Sequence, residues 1–239
     1  MNKVMIENKI YYYEDSVKNF DKLMQTIDEV DALDKEYGIE TWLDWTASND
    51  KSFLYGKTKT FDINQINNIL IDPEYKEKMT YIYNNIMESF YDVSADYAKT
   101  IGDSDEPRLF PTFNIKKYNS GIGMGSHFDQ LDGDKTLRYS LVMYLNDDFE
   151  GGEISFLLSD YEDVSKVPAP ELDYEEALGK GKIQFGLKPK AGSIIIFPSS
   201  APYYHTAHLV KSNFKYMVPS HWIHNNMELH EDQESHGHM

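Results

Sequence analysis

The chain has 239 residues, 41% hydrophobic and 26% charged, a balance that favours a folded protein with a sizeable core over disorder. Its formal charge of −17 works against non-specific binding to nucleic acid or to an anionic membrane, and the absence of cysteine excludes disulfides, thiolate metal sites and a cysteine nucleophile. There is no apolar signal segment near Met1 and no run of the roughly 20 apolar residues of a membrane span, so the expected setting is the cytoplasm, without membrane or nucleic-acid partners.

In chain order, Lys9 to Tyr13 is rich in Ile and Tyr and reads as a short strand. Asp15-Ser16 offers an N-cap, and Phe20, Leu23, Met24, Ile27 and Val30 follow at helical spacing. Trp42 to Gly56 has no clear pattern. From Tyr75 to about Tyr97, Met79, Ile82, Ile86 and Phe90 step by three and four and predict the strongest helix. After Arg108 the pattern changes. Leu109–Tyr118, Leu137–Leu145, Glu153–Leu158, Ser193–Phe197 and Phe214–Trp222 read as strands between Gly, Pro, Asn and Asp, the pattern of a sandwich or barrel. The expected fold is α+β: a jelly-roll core with the N-terminal helices packed on the outside of one sheet. The expected organisation is one domain over 1–239, with helical support at about 14–100, the core at about 108–224 and a polar tail at 225–239. Ser159 to Gly181 interrupts the strands with seven carboxylates and two prolines. It reads either as a lid whose charge favours basic substrates or as a solvated insertion.

The chemistry lies in Tyr118-Asn-Ser-Gly-Ile-Gly-Met-Gly-Ser-His127-Phe-Asp129. Residues two apart on a strand face the same way, so His127 and Asp129 would present an imidazole and a carboxylate to one cavity. With one distant histidine they make the two-histidine, one-carboxylate set that holds Fe(II) and leaves positions open. His230-Glu-Asp232 repeats the spacing in the polar tail, without an apolar strand around it, and reads as solvated. Candidates for the third ligand are His205, His208, His221 and His224. Lys215 follows His205 by ten residues and could hold the far carboxylate of a metal-bound dicarboxylate, whereas His208 has the opposite parity to His205.

Five ordered motifs carry a family resemblance: Tyr118…Gly121…His127-Phe-Asp129; Arg138-Tyr-Ser-Leu-Val-Met-Tyr144-Leu-Asn-Asp; Phe149-Glu-Gly-Gly-Glu153; Lys188-Pro-Lys-Ala-Gly192 with the strand after it; and His205…Val210…Lys215 before Trp222-Ile-His224. From about Leu109 to Trp222 the chain resembles the prolyl 4-hydroxylase branch of the Fe(II)- and 2-oxoglutarate-dependent dioxygenases. It is most similar to the short stand-alone members of bacteria and phages, which would place a phage-encoded copy in the host cytoplasm.

The resemblance implies a double-stranded β-helix, with His127, Asp129 and His205 as catalytic iron ligands and Lys215 and Tyr118 on the cosubstrate. It implies Fe(II), 2-oxoglutarate and O2, with ascorbate as reductant. The implied reaction is hydroxylation of a peptidyl proline with decarboxylation of 2-oxoglutarate to succinate. The implied partner is a proline-containing peptide or protein met by Trp222 and Arg138, and the lid reading of Ser159 to Gly181 adds that it is basic. The alternatives are the same chemistry on a free amino acid or other small molecule, and a non-catalytic jelly-roll binding protein. The chain departs from the family at Ile154, where Thr is common, and at Met124, where Tyr is common. Lys215 to Trp222 is also one residue longer than usual, which reverses strand parity unless a bulge at Pro219 restores it.

Overall fold

The computed structural model describes residues 2–45, 56–130, 136–158 and 172–224. In chain order the elements are β1 (Asn2–Glu7), β2 (Ile10–Glu14), α1 (Phe20–Tyr37), β3 (Leu43–Trp45), β4 (Gly56–Asp62), α2 (Ile63–Asn67), α3 (Pro73–Ile101), β5 (Thr112–Asn119), β6 (Met124–His127), β7 (Leu137–Tyr144), β8 (Glu150–Gly151), β9 (Ile154–Leu158), α4 (Tyr174–Gly179), β10 (Phe185–Leu187), β11 (Ser193–Pro198), β12 (Tyr203–Ala207), β13 (Val210–Ser212) and β14 (Phe214–Ile223).

A large antiparallel sheet runs β1-β2-β11-β7-β14-β5-β4-β3 and faces a smaller one ordered β10-β9-β12-β6. This is the double-stranded β-helix, with β11, β7, β14 and β5 as the jelly-roll strands of the large sheet. Alternation along each of these strands divides two clusters. Phe113, Ile115, Leu141, Met143, Ile194, Ile196, Val218 and Trp222 face outward under α1 and α3. Tyr118, Tyr144, Ile195, Phe197 and Met217 face inward with Ile154 and Phe156 of the small sheet.

Helix α3 forms where its apolar stripe demands it: Ile82, Ile86, Phe90 and Val93 are fully buried against the sheet. Asp72 caps its start, Pro73 occupies the first turn and Gly102 closes it with a left-handed backbone. Helix α1 begins later than the sequence suggests. Asn19, not Asp15 or Ser16, is its N-cap. The amides of Ser16 and Val17 donate instead to the Gly192 carbonyl, and Ser16 Oγ donates to the Tyr13 carbonyl, which ties this segment to the sheet. Part of the acidic insert is also regular: Asp173 caps α4 by accepting from the Glu176 amide. Residues 159–171, 46–55 and the tail with His230 and Asp232 lie outside the described residues. Among the described residues no helix is long and apolar enough to cross a membrane.

Candidate metal centre

Strands β12 and β6 pair so that His205 stands directly opposite His127, with ring centroids 4.2 Å apart. Strand β6 ends at His127, so Asp129 reaches the same cavity from a bend rather than by strand parity. The residue after it fixes that bend: the Gln130 amide donates to the Ser199 carbonyl, and its side chain donates to the Leu137 carbonyl. Ser140 Oγ donates to Asp129 Oδ2 at 2.5 Å and lies 2.8 Å from Ser199 Oγ. With Oδ2 so engaged, Oδ1 is left 3.5 Å from His127 Nε2 and 3.8 Å from His205 Nε2. One ligand atom from each of His127, Asp129 and His205 falls within 4.8 Å of the others.

Each imidazole is oriented from behind. His127 Nδ1 lies 2.8 Å from the Gly125 carbonyl and His205 Nδ1 lies 3.4 Å from that of Tyr203. A carbonyl only accepts, so Nδ1 carries the proton and Nε2 presents its lone pair to the centre. Burial, then the neighbouring His127, pushes His205 down to about 4, which keeps it neutral and ligand-ready. Burial opposes charge on His127 and on Asp129. The pull of the Asp129 carboxylate prevails at His127, whose pKa is raised. The surrounding histidines, His205 first, hold Asp129 well below the usual carboxylate range. Two neutral nitrogens and one carboxylate oxygen suit a divalent first-row ion, Fe(II) among them.

Lys215 lies in the inward register of β14, opposite Tyr118 of β5, and is 1% exposed. Its Nζ donates to the Gly152 carbonyl at 3.0 Å and lies 5.4 Å from the centre of the Tyr118 ring. Burial lowers it to about 8, while Glu153 attracts it from beyond ion-pair range. The Gly-Gly turn aims that carbonyl. Gly151 and Gly152 both have φ of +69°, and a Cβ on Gly151 would stand 2.3 Å from the Leu209 carbonyl oxygen. One acceptor on an ammonium with three donors leaves room for an anion, as a cosubstrate carboxylate requires. Ile154 and Met124 line this interior without a hydroxyl.

Two expected substrate contacts are not in the cavity. Pro219 pairs with Val142 in a register unbroken from Met217↔Tyr144 to Trp222↔Tyr139, so no bulge restores parity before Trp222. Trp222 is therefore fully buried on the helix side, its ring 5.0 Å from that of Tyr139. His221 faces inward in its place, with Nε2 3.5 Å from Asp129 Oδ2. Arg138 is engaged by Asp103 and Asp105 and lies over the Tyr139 and Trp222 rings. His208 turns away from the centre, bonding Ser155 Oγ at 2.6 Å and approaching the Leu172 carbonyl at 3.0 Å. The described end of the acidic insert docks there, with Tyr174 edge-on to the His208 ring and Asp173 paired to Lys211. His224 follows β14, its amide donating to the Thr136 carbonyl. Sequence reasoning missed Ser140, which holds Asp129, Ser199, which bonds Ser140 from behind, and Lys116, whose inward register beside Tyr118 was the available signal.

Residues 113–224 match the profile of the 2OG-Fe(II) oxygenase superfamily. A search of curated proteins found no match. Solved structures share the fold at low identity. A prolyl-4-hydroxylase from Pseudomonas putida is 14% identical at a TM-score of 0.52, covering 91% of this chain and 94% of its own. A prolyl hydroxylase from Trichoplax adhaerens, in complex with a hypoxia inducible factor peptide fragment, is 11% identical at 0.55, covering 90% and 84%. The alpha-ketoglutarate-dependent epimerase SnoN of nogalamycin biosynthesis is 12% identical at 0.56, covering 90% and 76%.

Proposed function

We propose that the chain, whose residues 113–224 belong to the 2OG-Fe(II) oxygenase superfamily, is a hydroxylase that holds Fe(II) through His127, Asp129 and His205 and 2-oxoglutarate through Lys215. The observation that carries this reading is the convergence of those three ligand atoms within 4.8 Å. When bound, iron and cosubstrate supply decarboxylation of 2-oxoglutarate to succinate and delivery of one oxygen atom of O2 to a substrate C–H bond. The protein's part is to orient and to exclude water. The Gly125 and Tyr203 carbonyls fix the imidazoles, Ser140 holds Asp129 by one oxygen, and Lys215 with the Tyr118 ring receives the far carboxylate.

A prolyl residue in a peptide is the first reading of the substrate. It is supported by the five ordered motifs and by the fold held in common with prolyl hydroxylases. A free amino acid or other small molecule is the second. It is favoured by the burial of Trp222 outside the cavity and by a further buried lysine inside it. The test is oxidation of 2-oxoglutarate by the iron-loaded protein with ascorbate, followed by a peptide-library screen for the mass gain of one oxygen atom. Asp129→Ala should abolish turnover while circular dichroism stays native; retained activity in that variant removes the ligand assignment.

A further inference from the structure

Lys116 is a buried cation that the metal centre does not use. It lies in the inward register of β5, two residues before Tyr118 and opposite Met217, and is 8% exposed. Among the described residues it has no hydrogen-bond acceptor or ion-pair partner. Its Nζ instead lies over the Trp45 ring, 3.6 Å from the centroid. Trp45 stacks in turn on Tyr118, with centroids 6.0 Å apart, so two rings and one ammonium form a single wall of the barrel. Lys116 shares the inward face of the large sheet with Tyr118 and Lys215; burial pushes it down to about 8, and the Asp129 carboxylate pulls it back up.

An ammonium taken out of water without a counter-anion is costly, and a ring face returns only part of that cost. Methionine or leucine would fill the same volume without it. Lys116 does not duplicate Lys215, which opposes Tyr118, one inward step away, and is held by the Gly152 carbonyl. That step is about 7 Å along the strands, enough for the two ammonium groups to serve different anions.

We propose that Lys116 anchors a carboxylate of the primary substrate, so that the barrel takes a free amino acid or another small carboxylic acid whose anionic group lies near the C–H bond offered to the metal centre. The proposal rests on the oxygenase reading and selects its small-molecule form. Trp45 supplies an apolar wall against which the body of such a substrate packs, while Lys116 donates to its carboxylate.

The test is calorimetric binding, without oxygen, to protein loaded with Mn(II) and 2-oxoglutarate. The probes are the standard free amino acids, small dicarboxylic acids and the carboxamide of each. At least one acid should bind, and its carboxamide should bind about a hundredfold more weakly, as expected when a buried charge loses its partner. Lys116→Met should lose the acid to the same degree and keep 2-oxoglutarate within a few-fold. Lys116→Gln should behave alike, so that misfolding of one variant does not decide the result. The assignment is overturned by equal binding of acid and carboxamide, by unchanged acid affinity in both variants, by loss of 2-oxoglutarate in place of the acid, or by a wild type that binds acidic peptides but none of the acids, or nothing at all. Failure of the wild-type protein to bind 2-oxoglutarate strikes the oxygenase reading instead.

Discussion

Two faces of one sheet treat the same residue differently. On the helix side, Lys59 of β4 is 1% exposed and has two carboxylates in reach, Asp34 at 2.5 Å and Asp31 at 2.9 Å. Asp34 is itself bonded by Tyr75 and Thr41. On the barrel side, Lys116 and Lys215 of the adjoining strands are nearly as buried, and among the described residues neither has a carboxylate within ion-pair distance. The chain neutralises the cation that serves the fold. It leaves without a carboxylate the two that share the barrel with the candidate metal ligands, and the proposed ligand roles of Lys215 and Lys116 rest on that contrast.

The largest effect should come from Lys59→Met, which strands Asp31 and Asp34 beside the core. Urea unfolding should show a loss on the order of 3–5 kcal/mol, with 2-oxoglutarate affinity unchanged. A small loss would erase the contrast. Lys215→Ala should act on the ligand instead, raising the apparent constant for 2-oxoglutarate about a hundredfold, close to 3 kcal/mol. An unchanged requirement would move that role to Lys211 or Lys116.

Lys116→Met should have the smallest effect, with the opposite sign. Burial pushes Lys116 down to about 8 from the 10.5 of a lysine in water, so the fold favours the neutral amine. Below pH 8 both states are protonated and the burial cost is fully present. Between about 8 and 10.5 the unfolded chain holds more protons, so wild-type stability rises with pH. The variant should therefore be more stable than wild type at pH 7, by at most about 3 kcal/mol, and the gap should close toward pH 10.5. Paired unfolding curves at pH 7 and above pH 10 measure it, and a gap that does not close would mean that Lys116 is paired within the fold.

The jelly-roll strands were legible because their alternation is strong: Leu137 to Tyr144 puts Leu141 and Met143 on one face and Val142 and Tyr144 on the other. The metal-ligand candidates were legible as a motif, although Asp129 arrives by a bend that Gln130 anchors and not by strand parity. Trp222 was misplaced because register is a tertiary property. The extra residue before it shifts the face, and only the pairing with β7 shows that no bulge intervenes. Strand β4 was hidden because Gly-Lys-Thr-Lys-Thr reads as surface; its burial of Lys59 depends on carboxylates from α1, more than twenty residues earlier in the chain. Helix α4 is short and lies in an acidic run, where a capping Asp173 is hard to tell from a solvated charge.

Hairpins from the first third of the chain border the large sheet on both sides, β1 with β2 beyond β11, and β3 with β4 beyond β5. The four jelly-roll strands of that sheet are therefore all interior strands, and the unpaired amides fall to β1 and β3. Amide hydrogen exchange should follow this order, fast at the two hairpin rims and slowest in β7 and β14. Because Trp45 belongs to the rim and Lys116 to the strand behind it, opening of the β3–β4 hairpin would admit water to the barrel from the side, while the strands that carry His127 and His205 stay closed.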